Sequence, residues 1–161
     1  MEQGNLSDNS VEAFRAVSKE FDTIYRMYAK ACGLSEAEFW SLLMIRSGTK
    51  TQAEICDQLF LSPQTVNSAF KQLVKKGLVR LEPLEHNQRT KQIILTPLGQ
   101  QFVEQHIDHI YNVECQMWEA MEEQERVMLI RFTRKYCDLI KAALEQPSKI
   151  ESSSSEDISS Q

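Results

Sequence analysis

The run Ser62-Pro63-Gln64-Thr65-Val66-Asn67-Ser68-Ala69-Phe70-Lys71-Gln72-Leu73-Val74-Lys75-Lys76-Gly77 reads as a short helix with both of its ends marked. Ser62 is a side-chain cap, Pro63 stands at the first helical position, where its missing N–H costs nothing, and Gly77 closes the segment. Its faces differ in chemistry. Val66, Phe70, Leu73 and Val74 fall on one side, while Gln64, Ser68, Lys71 and Lys75 fall on the other.

Working back from Ser62, Thr51-Gln52-Ala53-Glu54 has the spacing of a capping box, and Ile55 and Leu59 follow on one face of a short helix. Between Leu59 and Ser62 only a tight connection fits, so two short helices must meet at a steep angle, the spacing of a helix-turn-helix. Ser35-Glu36-Ala37-Glu38 is a second capping box and opens a helix through Phe39, Leu42 and Leu43 toward Gly48. From Val11 to Ala31, Phe14, Val17, Phe21, Ile24 and Tyr28 recur at three and four residues and predict one more amphipathic helix.

Forward of Gly77 the pattern turns strand-like over Leu78–Glu82 and Lys91–Thr96, which predicts a hairpin whose polar stretch Pro83–Thr90 is a long exposed loop. Thr96-Pro97 then opens a long helix carrying Val103, Ile107, Ile110, Met117 and Met121. A last helix carries Leu129, Phe132, Tyr136, Ile140 and Ala143 and ends before Pro147. The tail beyond, with Ser152–Ser155, Glu156 and Asp157, is too polar to pack and is expected to be disordered.

The fold class expected is therefore mainly α with a small β-hairpin: a winged helix-turn-helix domain plus terminal helices. The division expected is an N-terminal helix over 1–34, the winged domain over 35–97, C-terminal helices over 98–146 and a tail over 147–161. Composition agrees, since 161 residues with 42% apolar and 25% charged side chains suit about one globular domain, and five Gly and four Pro are few for a turn-rich β fold. No leader pattern or long apolar run appears, so a cytoplasmic protein without membrane association is expected. Cys32, Cys56, Cys115 and Cys137 are widely spaced and contain no C-x-x-C pair, which suits buried thiols rather than disulfides or a zinc ribbon. No G-x-S-x-G, G-x-x-x-x-G-K or H-E-x-x-H occurs, so neither catalysis nor a cofactor is expected.

Net charge is −5, but it is unevenly spread. Residues 62–92 hold six basic side chains against two acidic ones, a local +4 that leaves −9 on the remainder. This segregation is the footprint of a nucleic-acid face. A recognition helix entering the major groove N-terminus first would present Gln64, Thr65, Asn67 and Ser68 to base edges, then Lys71 and Lys75 to the flanking backbone. Ser62, and Thr51 and Gln52 at the start of the preceding helix, are available for phosphate oxygens. His86, Asn87, Gln88, Arg89 and Lys91 place polar and basic groups on the hairpin, within reach of a minor groove.

The order of these helices, with Ser62-Pro63-Gln64-Thr65-Val66, Lys76-Gly77-Leu78-Val79, Asn87-Gln88-Arg89-Thr90-Lys91 and Leu95-Thr96-Pro97-Leu98-Gly99, resembles the MarR family from about Val11 to Gln146. That family's wing usually reads Asp-x-Arg-Asp-x-Arg or Lys, then a short strand and Leu-Thr-x-x-Gly. Asn87 and Thr90 stand here for the two Asp residues, while Arg89 and Lys91 match the basic positions. The resemblance implies that Arg89 enters the minor groove, supported by Asn87 without the charge of an Asp and hence on a less rigid wing.

The first helix and the last two carry more apolar surface than the small core of Phe39, Leu42, Ile55, Val66, Phe70 and Leu73 can cover, which predicts a homodimer reading a pseudo-palindrome in double-stranded DNA. The resemblance also implies a repressor released by a signal, and three kinds stay open on the sequence. An aromatic or amphipathic ligand would use Tyr25, Tyr28 and Trp40, although aromatics at helical spacing also make plain core. An oxidant would act at Cys32, where Lys30 is the nearby base. A metal would need His106 and His109 with Cys115 or a carboxylate. The acidic total and the substituted wing leave a second reading, a winged-helix protein-interaction module or an antirepressor that no longer binds DNA.

Overall fold

The computed structural model describes residues 9–84 and 87–145, with backbone only at 84 and 87–90. The elements are α1 (Val11–Ala31), α2 (Glu36–Arg46), α3 (Gln52–Leu59), α4 (Pro63–Lys75), β1 (Val79–Leu84), β2 (Asn87–Leu95), α5 (Pro97–Phe102), a π-turn (Val103–Ile107), α6 (Asp108–Ala120) and α7 (Glu123–Glu145). They form two compact units, Met1–Val113 and Glu114–Gln161, divided within α6. His86 and the tail expectations for 147–161 lie outside the described residues.

Short-range chemistry fixes the helix starts. Both capping boxes close, Ser35 with Glu38 and Thr51 with Glu54, so each satisfies first-turn N–H groups from both sides. Ser62 accepts the Thr65 N–H at 3.2 Å and Thr96 accepts the Gly99 N–H at 2.9 Å, each just ahead of a proline at the helix start.

In the first unit the inward faces of α2, α3 and α4 meet. Phe39, Leu42, Ile55, Val66, Phe70 and Leu73 are buried, joined by Leu78, Val79 and Ile93 from the hairpin and by Val103 and Ile107 from the π-turn. Tyr25, Tyr28 and Trp40 pack around Phe39, with ring centres between 5.0 and 6.4 Å apart. Glu38 is buried in this unit and takes an ion pair from Lys76 at 2.6 Å. Lys76 also donates to the Gly33 carbonyl at 2.8 Å, tying the end of α4 to the turn before α2.

Four expectations change. The four thiols are not buried: Cys32, Cys56 and Cys115 are half-buried and Cys137 is exposed. Val74 lies at the edge of the α4 stripe, about 100° round the helix from Leu73, and is exposed. The hairpin does not open into a loop at Pro83, because β1 continues to Leu84 and β2 already runs from Asn87. Pairing is regular from Val79↔Leu95 to Pro83↔Lys91 and then slips, with Leu84 opposite Asn87. Proline is tolerated at such an irregularity in a two-stranded ribbon, where no central ladder needs its N–H. The helix from Pro97 is also not one uniform α-helix. It widens over Val103–Ile107, and the Tyr28 hydroxyl donates to the His106 carbonyl within that turn at 2.8 Å.

In the second unit α7 has no buried residue. Val127, Leu129, Ile130, Phe132, Leu139 and Ile140 are all exposed there. In the first unit α1 likewise exposes Phe14, Val17, Phe21, Ile24 and Met27. Among the described residues no helix is long and apolar enough to cross a membrane.

Candidate nucleic-acid interface

The residues picked from the sequence gather on one frame. α4 is anchored by Val66, Ala69, Phe70 and Leu73, all buried, and this anchoring turns Gln64, Thr65, Asn67, Ser68, Lys71 and Lys75 outward, each of them exposed. An α-helix with its inward stripe locked in a core cannot rotate, so the six side chains keep a fixed order along its outer face. The Ser62 and Thr65 hydroxyls lie 2.9 Å apart and share one hydrogen bond, which leaves one hydroxyl hydrogen to offer outward.

The hairpin is joined to the helix-turn-helix by backbone. Thr51 pairs with Gln92 in an isolated antiparallel bridge, and the Ile93 N–H donates to the Lys50 carbonyl at 2.8 Å. Thr51 therefore has two duties, capping α3 and holding the ribbon. Its neighbour Gln52 is half-buried, its amide nitrogen shielded from solvent, and it lines a cleft of about 600 Å³ between α3 and α4 together with Cys56, Pro63, Gln64 and Asn67. Lys91 is exposed on β2. Asn87 and Arg89 lie on the same strand, with side chains outside the described residues.

Lys76 is committed to Glu38, outside residues 62–92, which lowers the local +4 by one, while the pair of Arg80 with Glu82 at 2.6 Å is already within that balance. Burial alone would raise the Glu38 carboxyl. The hydrogen bonds from Lys76 and from the Ser35 N–H and hydroxyl prevail and hold it below the usual carboxylate range.

A clasp that sequence reasoning missed sets the base of the wing. Thr96 donates its hydroxyl to the Gly77 carbonyl at 2.5 Å and its N–H to the Leu78 carbonyl at 3.1 Å. Gly99 packs so closely on the Leu78 backbone that a Cβ there would lie 1.8 Å from the Leu78 oxygen. The segment after the ribbon is thus locked to the segment before it. The signal was present as Thr96-Pro97-Leu98-Gly99, but the contact joins residues some twenty apart.

The signal-sensing candidates take ordinary structural positions. His109 stacks on Tyr28 with ring centres 6.5 Å apart, and His106 lies against Phe102 at 4.5 Å. Among the described residues no group of three His, Cys, Asp or Glu side chains is placed to hold a metal ion. Burial pushes the Cys32 thiol up, with the Tyr28 hydrogen bond opposing it in part, so the thiolate needed for fast oxidation is disfavoured. Arg46 is paired with Asp108 and stacks 3.7 Å above the Tyr111 ring, a link from α2 to α6 that sequence reasoning missed.

A helix pair in a steep turn, a two-faced second helix and a bridged β-ribbon define a winged helix-turn-helix protein. A model of the MarR family matches residues 33–90. The chain is similar to a MarR family regulator from Neisseria meningitidis at 15% identity and a TM-score of 0.71, covering 86% of this chain and 99% of that one. It is similar to S. aureus MepR, solved in complex with DNA, at 20% identity and a TM-score of 0.64, over 80% of this chain and 96% of that one. It is also similar to Bordetella bronchiseptica BpsR, whose DNA binding is regulated by 6-hydroxynicotinic acid, at 18% identity and a TM-score of 0.63, over 83% of this chain and 96% of that one. No curated protein matches the sequence. The match over residues 33–90 and the likeness to these structures give the chain the winged helix-turn-helix fold of MarR-family regulators.

Proposed function

We propose that this protein is a cytoplasmic, sequence-specific double-stranded DNA-binding regulator, acting as a homodimeric repressor on a pseudo-palindromic operator. The observation that carries the reading is the outer face of α4. Its first turns offer amide and hydroxyl groups at Gln64, Thr65, Asn67 and Ser68, and its later turns offer ammonium groups at Lys71 and Lys75, all exposed on a helix that the core prevents from turning. Amides and hydroxyls match the donor and acceptor pattern of base edges in the major groove, while lysines neutralise phosphates. Thr51, Gln52 and Ser62 flank that face, and Asn87, Arg89 and Lys91 sit on the ribbon that would follow the neighbouring backbone or minor groove.

The exposed apolar faces of α1 and α7 support the dimer, because an isolated chain would leave that surface in water. A two-fold axis would set two copies of α4 about one helical turn, ~34 Å, apart on the duplex. The DNA complex of the similar S. aureus protein supports the nucleic-acid partner, and the ligand control of the Bordetella protein supports release by a small effector. Under this reading 1–34 and 98–146 serve dimerisation, and 35–97 serves DNA.

Selection of bound duplexes from a random pool at near-physiological salt tests this. An enriched two-fold motif with half-sites one turn apart, and an affinity falling by about 0.9 log units per phosphate contact for each tenfold rise in salt, is expected. A folded dimer that enriches no motif would move the assignment to protein interaction or an antirepressor.

A further inference from the structure

Phe60 occupies the turn of the helix-turn-helix at φ +53, and it is the one non-glycine residue with positive φ among those described. The left-handed region disfavours a residue bearing a Cβ by roughly tenfold. The ring gains nothing in exchange within the chain, since Phe60 is 93% exposed. Nor does the turn need it. The Phe60 and Leu61 N–H groups both reach the Cys56 carbonyl, a backbone closure that glycine would make without strain. A strained and water-facing aromatic side chain that the fold does not use is best explained by what it meets outside.

Its position selects the occupant. Phe60 stands two residues before Ser62, which caps α4, so its Cα lies within roughly 7 Å of the cap. The exposed base-facing set on α4 consists of amides and hydroxyls, which suit polar base edges. The major groove also presents one apolar group, the C5 methyl of thymine, and phenyl rings are among its partners. A protein partner fits less well. The other large exposed apolar side chains lie mostly on α1, α6 and α7, and the neighbours Leu59 and Leu61 are half-buried against the core, so Phe60 stands alone rather than in a broad apolar patch.

We infer that Phe60 is a specificity-determining contact, its ring meeting a thymine methyl at the edge of the major groove beside the bases faced by α4. This rests on the DNA-binding reading above. Uracil differs from thymine only in lacking that methyl, so it isolates the contact.

The test is a scan of the selected operator in which each thymine is replaced singly by uracil, measured with the full-length protein and with Phe60→Gly and Phe60→Asn, both of which accept positive φ. For the unmodified protein one thymine per half-site is expected to lose about fourfold in affinity on replacement, the value of one buried methyl. Both variants should be indifferent to that replacement while melting at or above the temperature of the parent. Equal thymine-to-uracil ratios in all three proteins overturn the inference and leave the DNA-binding reading standing. Failure of the unmodified protein to bind any duplex overturns both.

Discussion

Replacing Gly99 by alanine should be among the most damaging single-methyl changes available in this chain. The added Cβ would lie 1.8 Å from the Leu78 carbonyl oxygen and 2.7 Å from its carbon, where ordinary contact begins at 3.4 Å. The obstacle is backbone, so no side-chain rotation relieves it, and α5 must retreat by more than an ångström. That retreat pulls apart the Thr96 N–H bond to Leu78, now 3.1 Å, and the Thr96 hydroxyl bond to Gly77, now 2.5 Å. Each lost bond costs about 1 kcal/mol, and the overpacking itself costs about 1–3 kcal/mol, for a total of about 3–5 kcal/mol. At about 2–4 °C per kcal/mol for a chain of this size, the melting temperature should fall by roughly 6–20 °C. Gly77→Ala is the internal control, because it sits in the same junction at φ +71 with only Leu98 Cδ2 at 3.7 Å, and should cost about 1–2 kcal/mol from the left-handed backbone alone. Urea unfolding at one fixed protein concentration, with the slope checked for constancy, reads both. A Gly99→Ala protein within about 1 kcal/mol of the parent, or no worse than Gly77→Ala, would refute the clasp.

Four further outcomes are expected. Gln64→Ala should flatten base preference in a competition binding assay by about 1–3 kcal/mol at one position per half-site while sparing non-specific affinity, whereas an equal loss on every sequence would make Gln64 a positioning contact. Arg89→Ala should weaken operator binding and reduce the salt dependence of affinity without lowering the melting temperature, and an unfolded variant would defeat the wing assignment. The depressed Glu38 carboxyl binds its proton more weakly when folded than when unfolded, so it stabilises the fold above the unfolded value near 4.3 and loses that contribution as pH falls through the lower folded value. Melting curves from pH 6 down to pH 3 should therefore decline less steeply for Glu38→Gln than for the parent. Phe132→Lys places a charge in the exposed apolar face of α7 and should shift sedimentation toward a monomer, while an unchanged dimer would exclude that face from the interface.

What could be read from the sequence was what depends on near neighbours. Ser35 with Glu38, Thr51 with Glu54, Ser62 with Pro63 and Thr96 with Pro97 located four helix starts to the residue, because each cap acts across three or four positions. The two faces of α4 followed from helical spacing, except that Val74, grouped with the apolar side, is exposed and Ala69 takes a buried place instead. Features made by distant residues stayed hidden. Pro83 looked like the end of a strand, and only the irregular pairing of Leu84 with Asn87 explains why β1 runs past it. Lys76 looked like part of a basic face until its partner Glu38, thirty-eight positions earlier, was in place. The π-turn at Val103–Ile107 gave no compositional sign, since Val103 and Ile107 suit an ordinary helix equally well. At the interface itself, the periodicity that revealed the outer face of α4 was silent on Phe60, whose significance lies in a backbone angle.

The bridge between Thr51 and Gln92 makes the ribbon a lever with its fulcrum on the helix-turn-helix. From Gln92 to Asn87 is five residues of strand, about 17 Å at ~3.4 Å per residue. A tilt of about 5° at the fulcrum would sweep the far end through about 1.5 Å, several times the roughly 0.5 Å window within which a hydrogen bond stays good. The accuracy with which the ribbon's end is aimed is therefore set at its root, by two backbone hydrogen-bonding positions and the Thr96 clasp, rather than by the residues that would do the touching.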